Sequence, residues 1–191
     1  MEISQLKPFV KRKYVPEGAQ LTDSKVVADL YQKLLDRAVG SAKELEELLL
    51  DRSELDAALG QAGSVLYINM TCHTNDKAIA EAYTQFIQTV PPAIKPINDK
   101  LNQRYIQLLA KYPLEAKRYE VYNRSTKIDI ELFVNENISL QTKVEMLSQE
   151  YQTVCGAMTV QFEGKEQTLP QMGKYQLEND RQRREDAWRA V

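Results

Sequence analysis

Histidine is nearly missing from this chain: His73 stands alone among 191 residues. A zinc site of the H-E-x-x-H kind needs two imidazoles one helical turn apart, so the chain cannot write that motif by itself. Cysteine is scarce as well. Cys72 and Cys155 make no C-x-x-C pair and no disulfide framework, and read as reduced thiols. Seven glycines and seven prolines are few for this length, which disfavours a turn-rich β fold. No apolar run approaches the roughly 18 residues that cross a bilayer. The opening MEISQLKPFVKRKYVP lacks the apolar centre of a signal peptide. A dominant charge is also wanting. The 25 basic and 27 acidic residues leave a net −2, which gives no general attraction for nucleic acid or an anionic membrane.

What the chain does have is helical period. Residues 1–20 read as irregular, broken by Pro8, Pro16 and Gly18. Val27, Leu30, Tyr31, Leu34, Leu35 and Ala38 then recur on one helical face, with Gly40 as the expected stop. Ser41 and Glu44 have capping-box spacing for a short helix carrying Leu45, Leu48 and Leu49. Ser53 is the expected cap of a third helix, with Leu55, Leu59, Ala62, Leu66 and Met70 in register. After the loop TCHTND, a stripe from Ile79 to Val90 meets PPAIKP, where Pro91, Pro92 and Pro96 are expected to break or kink the helix. The stripe resumes at Ile97 and ends at Pro113.

Residues 114–135 are ambiguous. KIDIELFV alternates like a strand, whereas a helix would align Tyr119, Tyr122, Ile130 and Phe133; the helical neighbours favour helix. Ser139 is expected to open a helix bearing Leu140, Val144, Leu147, Tyr151 and Val154, closed by Gly156. MTVQFEGKEQTL is the one β signal, a hairpin turning at Gly164. Thr168 then caps a small helix. Asn179, with Gln182 three residues on, is expected to cap a last helix carrying Ala187, Trp188 and Val191 on one face. Asp180–Arg184 and Arg181–Glu185 are spaced as helical ion pairs. The predicted fold class is mainly α, with antiparallel helical hairpins or a bundle and one short β-hairpin near residues 157–169.

No catalytic set emerges from these elements. Cys72 and His73 are adjacent but lack companion ligands, and nothing near them suggests an orienting third group. GQAGS at 60–64 lacks the G-K-[ST] ending of a phosphate loop and reads as a weak or closely packed point in a helix. The carboxylates of ELEELLLDRSELD read as a solvated helix face. The basic cluster 181, 183 and 184 is interleaved with acids and reads as a charge-laced face. The predicted catalytic, cofactor-binding and metal residues are therefore none.

Several stretches carry a family likeness: RKYVP at 12–16, SAKELEELLLDRSELDAAL at 41–59, LYINMTCHTNDKAIAEAYTQFI at 66–87, the run from Glu131 to Met172, and DRQRREDAWRAV at 180–191. Together they resemble the N-terminal region of oligoendopeptidase F-like zinc metallopeptidases, relatives of thimet oligopeptidase. The last two blocks are the most specific. The resemblance implies a helical lobe over 1–156. It implies that 157–191, a β-hairpin plus short helices, lead toward a catalytic domain absent from the chain. It also implies zinc in the full-length enzyme, oligopeptide substrates and a cytoplasmic setting, with the chain inactive alone. Tyr119, Tyr122 and Arg124 are candidates to face a substrate cleft. The last helix is expected to continue past Val191 and, in isolation, to fray, leaving Trp188 uncovered and the chain open to self-association or docking on the catalytic domain. The alternative is a standalone helical interaction or adaptor module without activity.

Overall fold

A computed structural model describes residues 11–73 and 76–191. Its elements are α1 (Ser24–Asp36), α2 (Ala42–Cys72), α3 (Lys77–Lys111), α4 (Ala116–Leu132), α5 (Asn137–Ala157), β1 (Thr159–Phe162), β2 (Lys165–Thr168), α6 (Leu169–Gln176) and α7 (Arg181–Ala190). The mainly α class with one hairpin is as predicted, and residues 116–132 are helix rather than strand. Residues 1–10, with Pro8, and part of TCHTND lie outside the described residues.

Helices α2 and α3 form an antiparallel pair. Tyr67 stacks edge-on against Tyr83 near one end, and Arg52 reaches Asn98 and Asn102 toward the other. Val27, Leu30, Tyr31 and Leu34 of α1 bury against the pair. They form one core with Leu45, Leu48 and Leu55 of α2 and Phe86, Val90, Leu101 and Tyr105 of α3. A second, smaller core joins Phe162 of β1 to Met172 and Tyr175 of α6 and Ala187 of α7.

Several boundaries differ from the sequence reading, each for a physical reason. Gly40 does not stop α1, which ends at Asp36 with Arg37 as an extended C-cap. The stop comes from α3: the Arg104 guanidinium donates to the carbonyls of Leu34, Leu35 and Arg37 at the end of the helix, where Leu34 also accepts from the Arg37 N–H. Ser41 caps α2 through the Glu44 N–H at 3.2 Å, but Glu44 reaches back to Gly40 N at 2.6 Å, one residue beyond a capping box. Ser53 caps nothing. No breaker separates Leu50 from Leu55, so the two expected helices are one, α2.

The prolines do not break α3 either. Pro91, Pro92 and Pro96 lie within 35 continuous helical residues. Each lacks the N–H that would pair four residues back, a cost of about 3 kcal/mol in an unsupported helix. Phe86, Ile87, Val90, Ile94 and Leu101 are buried on both sides of the prolines, and one unbroken packing stripe offsets that cost. Helix α5 starts two residues before Ser139 and includes Gly156.

The hairpin forms as predicted, with Thr159 opposite Thr168 and Phe162 opposite Lys165. Glu163 and Gly164 both take positive φ, 50° and 72°, as a two-residue hairpin loop requires. Thr168 and Gln171 complete a capping box for α6. The N-cap of α7 is Asp180, not Asn179: its carboxylate accepts from the N–H groups of Gln182 and Arg183. The expected pairs Asp180–Arg184 and Arg181–Glu185 give way to others. Arg183 grips Glu163 through two 2.8 Å bonds and Glu178 at 2.7 Å, and Glu185 pairs with Arg189.

Ahead of α1, the Glu54 carboxylate accepts from the N–H groups of Lys13, Tyr14 and Val15, each at 2.8 Å. Partial burial pushes this carboxyl up, but the three donors and the Arg12 charge outweigh it and hold it below the usual glutamate range. A carboxyl depressed in the folded state stabilises fully above its unfolded value, and that contribution is lost as pH falls through the folded one. Glu54→Ala is expected to cost about 2–3 kcal/mol at neutral pH and less as pH falls through the carboxyl's folded-state value, read by urea unfolding across an acid series. The glycines of α2 give a second contrast. A Cβ at Gly63 would meet Phe86 Cε1 at 3.1 Å, whereas nothing lies within 4 Å of one at Gly60. Gly60→Ala is expected to stabilise by about 0.5–1 kcal/mol. Gly63→Val is expected to destabilise by about 1–3 kcal/mol through overpacking. Thermal melts compare the two.

Candidate docking faces and a polar cleft

Helix α4 is held to the α2–α3 pair by polar groups more than by apolar ones. Glu46 of α2 accepts from Tyr119 Oη at 2.6 Å and pairs with Arg118 at 2.9 Å. Tyr105 of α3 donates to Asn123 at 2.6 Å and lies edge-on to Tyr122, with ring centroids 5.3 Å apart. Burial, with Tyr122 and Tyr119 nearby, pushes the Tyr105 phenol up to about 12, so it stays a donor at any physiological pH. Two of the three candidate cleft residues, Tyr119 and Tyr122, thus hold helices together. Arg124 is exposed.

A cleft of about 460 Å³ opens between α2, α3, the end of α4 and the start of α5. Arg52 forms its floor. One Nη donates to Asn102 at 2.8 Å and to Tyr122 at 3.4 Å, the other to Asn98 at 3.3 Å. Its Nε is buried without a hydrogen-bond partner, 3.8 Å from Asp56. Asp56 also accepts from Tyr31, whose phenol burial and that carboxylate push far up. Lys95, Asp99 and Asp129 line the rim. Arg52, Asn98 and Asn102 are not among the candidates that the sequence pattern singles out. The available signal was two asparagines one turn apart beside the buried stripe of α3.

The second feature is the orientation of α5. Its polar side faces α3: Gln149 exchanges hydrogen bonds with Thr84 at 2.9 and 3.1 Å, Gln88 reaches Met146 Sδ at 3.2 Å, and Lys95 donates to Gln141. Its apolar stripe faces outward. Leu140, Val144, Leu147, Tyr151 and Val154 are between 55% and 70% exposed, and no α5 residue is fully buried. The stripe read from Ser139 onward is thus present, and it faces away from α3. Toward the end of the chain, Leu177, Trp188 and Val191 are exposed while Ala187 is buried with Phe162, Met172 and Tyr175.

His73 is the C-cap of α2 and follows an exposed Cys72, while Cys155 lies in α5. Among the described residues no group of three or more His, Cys, Asp or Glu is close enough to hold an ion. With His73 as its one histidine, the sequence does not write an H-E-x-x-H pair. Among the described residues, no helix is long and apolar enough to cross a membrane.

The fold and its faces define a helical lobe with a polar cleft and an outward apolar helix face. Over residues 19–133 the chain matches the family described as Peptidase M3 N-terminal domain, and it belongs to that family. The match takes in the stretches at 41–59 and 66–87. It stops short of almost all of the block from Glu131 and of the whole of DRQRREDAWRAV, the two regarded as most specific. Comparison with curated proteins and with solved structures gives no match.

The cleft floor depends on the shape of one guanidinium. Arg52→Lys keeps the charge but cannot span Asn98, Asn102 and Tyr122. It is expected to cost about 1–2 kcal/mol, measured by urea unfolding.

Proposed function

We propose that this chain is the helical N-terminal lobe of an oligoendopeptidase F-like zinc metalloendopeptidase that hydrolyses short peptides in the cytoplasm. The observation that carries this reading is the family match over residues 19–133. In it, residues 1–156 are the lobe, and the hairpin, α6 and α7 in 157–191 lead toward a catalytic domain. That domain supplies zinc and the general base, since one histidine cannot. The lobe's contribution is steric. A stiff wall of long helices beside a cleft admits extended peptides and turns away folded chains. Leu177, Trp188 and Val191 offer apolar area for burial against the catalytic domain. A second reading, a standalone helical interaction module, draws support from the outward apolar stripe of α5.

The chain alone, given equimolar zinc and a fluorogenic oligopeptide, is expected to give no turnover and to lose its zinc on desalting. Turnover would sink the inert-lobe reading. Downstream codons reaching an H-E-x-x-H segment favour the lobe; a natural stop after Val191 favours the module.

A further inference from the structure

We infer that α5 is a self-pairing helix and that two copies of this chain join along it, antiparallel. The residues Leu140, Val144, Leu147, Tyr151, Val154 and Met158 are spaced four, three, four, three and four apart. That is the 3.5-residue repeat of a coiled-coil seam, not the broader 3.6-residue stripe of a helix packed into a core. The first five lie on α5 and all six are exposed. The helix spends its polar side on α3, through Thr84–Gln149 and Lys95–Gln141, and leaves the seam to solvent. An open groove of about 590 Å³ runs beside it, bounded by Lys143, Met146, Leu147 and Glu150, where side chains of a second helix can insert.

Charge selects the occupant and its direction. Lys143 and Glu150 flank the seam on the same side, seven residues apart. Among the described residues neither has an ion-pair partner. In an antiparallel pair with Val144 opposite Leu147 and Leu140 opposite Tyr151, flanking positions of the same type face one another. Lys143 of each copy then meets Glu150 of the other, twice, across a two-fold axis. Gln141 meets Ser148 on the opposite flank. Sliding the pair by one heptad sets Glu150 against Glu150, or Lys143 against Lys143. A parallel pair sets Lys143 against Ser148 and Glu150 against Cys155, with no charge match. One register is thus favoured by attraction and its neighbours are disfavoured by repulsion. The overlap runs from residue 137 to residue 154, about 27 Å at 1.5 Å per residue.

Sedimentation of the whole chain, with charge variants, tests the pairing. At about 100 μM a substantial dimer is expected, a short seam giving a weak interface, and Leu147→Asp is expected to abolish it. Lys143→Glu and Glu150→Lys each turn two attractions into repulsions and are expected to weaken the dimer about tenfold. The double variant K143E/E150K restores the pairing and is expected to return affinity to within about threefold of the parent. All three positions are exposed, and circular dichroism verifies that each variant folds. A chain that stays monomeric at about 1 mM overturns the proposal, as when α5 is instead covered by the remainder of a peptidase. So does a dimer indifferent to the charge swaps, or a trimer. None of these outcomes touches the lobe reading, which stands on the family match and is tested by turnover.

Discussion

The structure depends on α3 remaining one helix. Helices α1, α2, α4 and α5 all lean on it, and each does so at a different height: α5 at Thr84, Gln88 and Lys95, α2 at Asn98 and Asn102, α1 at Arg104, and α4 at Tyr105. A break at the prolines would separate the first group of contacts from the last. The carbonyls of Ile87, Gln88 and Pro92 give up their i+4 donors there, so backbone hydrogen bonding does not carry the helix through. Side-chain burial does. Val90 is wholly buried between the two phases of the stripe, with Ile87 and Ile94 on either side. Tertiary packing overrides local propensity at this point, and the rest of the lobe inherits its geometry.

Where structure follows from neighbouring residues, it was legible in the sequence. Thr168 and Gln171 bond within three residues of each other, and the Glu163–Gly164 turn needs only its own backbone. Both were readable. The missed stop of α1 has a cause some seventy residues away, in Arg104. Ser53 and the three prolines mark boundaries by local chemistry alone, and the packing around them keeps α2 and α3 continuous. The cap of α7 moved by one residue because Asp180, not Asn179, faces the free N–H groups. For α5, periodicity gave the stripe but could not say which side meets the protein. The Arg52 cleft was illegible for a related reason: its lining comes from four helices, and no single stretch of sequence holds more than a few of its groups.

The lobe makes two uses of polar side chains that amphipathic patterning alone would not assign. On α4 they act as fasteners, through Glu46 with Tyr119 and Arg118, and through Tyr105 with Asn123. On α5 they hold the helix to α3 with directional bonds in place of apolar burial. A helix attached by hydrogen bonds keeps its apolar area available. This is why the surface of a chain with average composition can carry so much uncovered leucine, valine and tyrosine on one element.

The Arg104 clamp on α1 also sets an order of assembly. As the chain emerges from a ribosome, α1 appears first, yet the donors that finish its carboxyl end arrive only after residue 104 has cleared the exit tunnel. Until then the early helix has loose carbonyls and an unburied stripe at Val27, Leu30 and Leu34. The element made first is completed late, and nascent chains shorter than about this point are the ones a holding chaperone would find most adhesive.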